Sequence, residues 1–75
     1  MRVSVWFRAK SFRHMDAVDH RIRQLAGKGP AGKGFCCSGA SISLDYMFGF
    51  RDGKRGMDFR RRTRRILGVQ AEVVT

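Results

Sequence analysis

Seventy-five residues carrying 16 Arg and Lys against six Asp and Glu, a net charge of +10, are the length of one small basic domain, 1–75. Hydrophobic residues make up 43% of the chain, including six Phe, one Trp and one Tyr, enough for a single core and too many for a disordered basic tail. No run of 18 apolar residues exists, which excludes a membrane-crossing helix.

Val3, Val5 and Phe7 alternate with Arg2, Ser4, Trp6 and Arg8. This is the pattern of a half-buried strand whose Val/Phe side faces the core and whose Trp6 side, set among arginines, faces away. The alternating polarity of Met1 to Trp6 is unlike the apolar block of a signal peptide, and the expected location is the cytoplasm. Ser11 to Ala26 reads as a helix. Met15, Val18, Ile22 and Leu25 recur at steps of three and four, with Phe12 one turn earlier. Ser11 suits the N-cap and Gly27 the left-handed C-terminal cap. Asp16 and Asp19 precede Arg21 and Arg23, the order that complements the helix dipole.

Gly27 to Gly34, with Lys28 and Lys33, is a flexible basic loop. A short strand is expected near Phe35 to Ser38, and a turn over Ser38 to Ser41. The adjacent Cys36 and Cys37 do not bridge each other, so there is no disulfide framework, and a reducing, intracellular setting fits. Ile42, Leu44, Tyr46, Phe48 and Phe50 alternate with Ser43, Asp45, Met47, Gly49 and Arg51, the clearest strand in the chain.

Beyond it two readings compete. Asp52-Gly53 is a hairpin signal that would send the chain back as a strand, with Phe48 facing Met57 and Tyr46 facing Phe59. The favoured reading is a helix with Asp58 as N-cap, running Phe59 to Leu67 and ending at Gly68, with Phe59, Thr63, Ile66 and Leu67 on one face. Arginine is a good helix former, and a long Arg run in a strand would put charges into the core. Val69, Ala71 and Val73 make a last strand. The expected class is α+β, a ferredoxin-like split βαβ with the order βαββαβ and two helices on one face of an antiparallel sheet. The alternative is βαβββ with a single helix.

Arg51 to Arg65 holds eight Arg and Lys against two Asp, and Arg60, Arg61, Arg62, Arg64 and Arg65 fall within six residues. Such crowding is costly unless water or a polyanion surrounds it. Arginine outnumbers lysine twelve to four. Its planar fork matches phosphate bidentately and stacks on bases. In a helix Arg61, Arg64 and Arg65 project outward, with Arg60 and Arg62 at the flanks, able to straddle a phosphate backbone. The expected function is nucleic-acid binding. The five arginines would hold phosphates, Arg51, Lys54, Arg55, Lys28 and Lys33 would form a flanking rim, and Trp6 with Arg8 would offer a stacking platform that slightly favours RNA over DNA. The alternative is a protein-interaction module, such as a phage-type small inhibitor, an adaptor or a ribonucleoprotein subunit, docking its basic face on an acidic surface. A homodimer through open edge strands is a further expectation.

Val5-Trp6-Phe7 on the first strand and Phe48-Gly49-Phe50 on the third resemble the aromatic strand motifs of the RNA recognition motif family, as do element order and length. The resemblance covers these six residues and the topology. It departs from the family where Phe48 and Phe50 share parity with Ile42, Leu44 and Tyr46, which places them on the core side and leaves Trp6 as the one stacking residue.

Gly27, Gly32 and Lys33 nearly spell a P-loop, but Gly34 stands where Ser or Thr should hold magnesium, and a helix precedes the loop where a strand should. His14, Asp16 and His20 could meet on one side of the first helix, yet Cys36 and Cys37 lack ligand-pair spacing. Glu72 is the single Glu, and no nucleophile, base and orienting group can be assembled. No cofactor, metal or catalytic residue is expected, and the chain does not read as an enzyme.

Overall fold

The computed structural model, which describes residues 1–74, orders six elements: Arg2–Ala9 (β1), Phe12–Ala26 (α1), Gly32–Ser38 (β2), Ser41–Gly49 (β3), Gly53–Thr63 (α2) and Val69–Val73 (β4). They form a four-stranded sheet in the order β2-β3-β1-β4, antiparallel throughout, with both helices on one face. This is the α+β, ferredoxin-like arrangement that the alternation of patterns predicts.

Period-two alternation builds the floor of the core. Val3, Val5, Phe7 and Ala9 of β1 are buried beside Ile42, Leu44, Tyr46 and Phe48 of β3, in a register that sets Val5 against Tyr46 and Phe7 against Leu44. Val69 and Ala71 of β4 complete it. Met1 and Phe50 extend the β1–β3 ladder by exchanging backbone hydrogen bonds at 2.8 and 2.9 Å.

Helix α1 begins where expected. The Ser11 hydroxyl accepts from the His14 amide at 3.1 Å, and Gly27 ends the helix at φ 73° with its N–H on the Arg23 carbonyl. Val18, Ile22 and Ala26, each four apart, point into the core, with Met15 and Leu25 at its margin. Phe12 does not join them. It is 58% exposed and stacks on Phe35 of β2 instead, because α1 lies over β1 and β3 and its first turn overhangs the outer strand.

The segment after β3 is a helix, and its N-cap lies six residues before the expected Asp58. Asp52 is the N-cap, its carboxylate accepting from the Lys54 amide at 2.9 Å. The hairpin reading fails for a topological reason: β1 and β2 already occupy both edges of β3, so a returning strand has nothing to pair with. Two glycines in the first turn, Gly53 and Gly56, disguise the helix start, since glycine is a poor helix former. Gly56 earns its place by contact, because a side chain there would run into the sulfur of Met1. The close approach lets Phe59 pack its ring 4.9 Å from Phe48 and 5.2 Å from Phe50, centroid to centroid. The helix also ends early, at Thr63. Leu67 is 96% exposed in the following turn and does not share the buried face of Phe59 and Thr63, while Ile66 packs at the core margin. Strand β2 starts at Gly32, three residues before the expected Phe35.

Candidate nucleic-acid interface

Eleven residues of α2 rise about 16 Å. Gly56, Phe59 and Thr63 face the sheet, so Arg61, Arg62, Arg64 and Arg65 fall outside, and Arg60 lies half-buried at the flank. Three of these arginines meet the chain's own carboxylates. Arg60 pairs with Glu72 at 3.2 Å, and Asp58 in mid-helix serves both Arg61 and Arg62, the latter at 3.1 Å. Arg64 and Arg65 make no ion pair with the described residues. Two carboxylates cannot neutralise five guanidinium groups, and exposed pairs of this kind are worth about 0–1 kcal/mol. The segment keeps an excess of positive charge.

Packing of the helices adds a residue that sequence reasoning missed. Arg21 of α1 joins Arg61, Arg62 and Arg65 around a cleft of about 550 Å³ between the helices, floored by Leu25 and Ile66. Nothing in the α1 pattern marks Arg21, because which flank of α1 meets α2 is a tertiary fact. A longer groove of about 1060 Å³ runs along the outer side of α2 past Lys54, Arg55, Arg61, Arg64 and Arg65, with Met57 and Met1 as apolar floor.

The flanking rim is only partly free. The Lys28 ammonium donates to the Gly49 carbonyl and lies 4.6 Å from the Phe50 ring centre, which folds the loop onto the end of β3. The Arg55 guanidinium approaches Gly27, so Lys28, Lys54 and Arg55 gather where α1 ends and α2 begins, near the exposed Arg51. Lys33 sits elsewhere, exposed on β2 opposite Tyr46. Because Gly32, Lys33 and Gly34 belong to a strand, their amides do not form a phosphate-cradling loop.

Trp6 and Arg8 are separated from this surface. They stand on the open face of the sheet, opposite the helices, and Trp6 is 41% exposed. By register that face carries Arg2, Arg8, Asp45 and Glu72, but the Glu72 carboxylate reaches around the β4 edge to Arg60 of α2. Most of the net charge of +10 therefore lies on the helical side and in the connecting segments. Asp45 sits directly across from Trp6 with its carboxylate over Gly34, where a side chain would collide with it. A shallow cleft of about 460 Å³ lies there, lined by Trp6, Arg8, Cys36, Ser43 and Asp45. Phe48 and Phe50 are buried on the helical side, so the aromatic likeness to the RNA recognition motif reduces on the open face to Trp6.

Behind the interface Tyr46 ties α1 to the sheet. Its hydroxyl donates to Asp19, which in turn binds Arg23 at 3.1 Å through both oxygens. Burial, then the bond to Asp19 and its negative charge, hold this phenol well above its ordinary range. Among the described residues, no three of His, Cys, Asp and Glu come together as metal ligands, and no helix is long and apolar enough to cross a membrane. No protein-family model matches the chain, and no curated protein sequence matches it.

Proposed function

We propose that this chain is a small nucleic-acid-binding domain that grips phosphates with its helical face. The observation that carries the reading is the convergence of Arg21 from α1 with Arg61, Arg62 and Arg65 from α2 around one cleft, on the side of the molecule that holds most of the net charge. Guanidinium forks on both walls suit a phosphate backbone entering between them. Such a grip is common to RNA and DNA. The preference for RNA rests on Trp6 alone, which lies on the other face.

Titration of single-stranded RNA, duplex DNA and heparin at several salt concentrations tests the proposal. Log affinity should fall with log salt by about 0.9 for each phosphate neutralised on B-form DNA. Replacing Arg21, Arg61 and Arg65 together by Gln should weaken binding at least about tenfold while leaving the helical circular dichroism unchanged. Unchanged affinity in that variant overturns the proposal. A change of Trp6 emission with RNA alone marks base contact on the sheet.

A second reading is favoured by Met57, 46% exposed in the middle of the cationic groove beside Met1. An apolar floor among six cations and the two carboxylates of Asp52 and Asp58 also fits an acidic, amphipathic protein segment. Binding to nucleic acid that is no stronger than to heparin, with silent Trp6, supports this docking reading.

A further inference from the structure

We infer that the free edge of β2 pairs with β2 of a second copy, giving a two-fold symmetric dimer with one sheet continuous across both chains. Strand β2 is the outer strand beyond β3, and all its residues except Gly34 are exposed. Helix α1 packs over β1 and β3 and covers β2 only through Phe12. Phe12 and Phe35 consequently stack on each other at 6.4 Å and 19°, each more than half exposed. The two edges of the sheet differ in protection. Strand β4 is short, and its Glu72 is held by Arg60. Strand β2 carries one charge, Lys33 near its start, and from Gly34 to Ser38 it has no charge and no proline, the kind of edge that recruits another strand.

Backbone donors and acceptors along an edge call for an extended partner, and antiparallel pairing of a strand with its own copy is self-complementary. Charge selects the same occupant. An acidic partner is drawn to the helical face, whereas two copies of +10 approach most easily where the surface carries no charge. The uncharged stretch is centred on Cys36. Centring the pair there matches Gly34 with Ser38 of the second copy, Phe35 with Cys37, and Cys36 with itself. Each Phe12–Phe35 stack is then covered on the helical side by the other chain's Cys37, and both Cys36 thiols meet on the open face. This dimer does not depend on what the helical face binds.

Sedimentation equilibrium over a concentration series tests it. The mass should rise toward twice the 8.6 kDa of the chain, and more readily at high salt, because salt screens the repulsion between copies. Polyanion binding has the opposite salt dependence. Phe35→Lys, at a position outside the core, should weaken self-association at least about tenfold by placing charge in the pairing edge. With oxidised glutathione, two Cys36 thiols should lose two protons and two electrons to form one interchain disulfide, releasing two reduced glutathione molecules. That product should appear in Cys37→Ser and be absent from Cys36→Ser. A mass of 8.6 kDa at every concentration and salt overturns the inference, as does a dimer that survives Phe35→Lys unchanged.

Discussion

Tyr46 shows how much one side chain can hold together. Its ring is part of the aromatic core against Phe7 and Phe48, and its hydroxyl reaches Asp19 on α1. A phenol kept protonated in the folded state stabilises the protein fully below about pH 10, where the unfolded tyrosine begins to ionise. Above that the unfolded chain loses its proton first, and the contribution disappears as pH rises through the higher folded value. Tyr46→Phe should cost about 2 kcal/mol at neutral pH, the worth of a hydrogen bond to a charged group. It should also flatten the alkaline loss of stability relative to the parent, as read by urea unfolding from neutral to about pH 11. Gly27 is the second residue with a defined cost. At φ 73° an alanine is strained by about 1–2 kcal/mol, so Gly27→Ala should lower the melting temperature by several degrees.

At the scale of the element, α2 combines a structural and an electrostatic role, and Asp58 separates them. This carboxylate restrains Arg61 and Arg62 at the surface without contributing to the core. Asp58→Asn should strengthen polyanion binding and steepen its salt dependence, while changing stability by less than about 1 kcal/mol. The measurement is a salt-series titration of the variant beside its parent, with thermal unfolding of each. A carboxylate acting as the helix cap would behave otherwise, with loss of helicity, and that role belongs to Asp52. The arginine cluster was legible in the chain as a basic helix. The onset of that helix was not, because Gly53 and Gly56 argue against a helix until their packing against Met1 is known.

Across the whole molecule, charge and core oppose each other. A domain of this size buries only about 60% of its unfolded surface, and +10 on a body this small repels itself. The urea midpoint should therefore rise with added sodium chloride at neutral pH, and rise further with a bound polyanion. A midpoint indifferent to salt would mean that repulsion between the surface charges does not limit the fold. The sheet divides the surface into an open face of low charge carrying Trp6, a cationic helical face, and a β2 edge uncharged from Gly34 to Ser38. The polyanion and the second copy proposed above would therefore use separate surfaces.

Local periodicity was enough to specify β1, α1 and β3, and it favoured the ferredoxin-like order over a single-helix βαβββ chain. Alternation and three-to-four spacing are written in neighbouring residues, and Ser11 and Gly27 mark the ends of α1 by their own backbone chemistry. The composition likewise established a basic domain with its arginines in one segment. Contacts between distant segments settled the rest. They placed Phe12 on the β2 edge rather than in the core, began α2 at Gly53, brought Arg21 to the arginines of α2, and set Trp6 on the opposite side of the sheet. None of these follows from spacing along the chain, because each depends on which flank of one element packs against another.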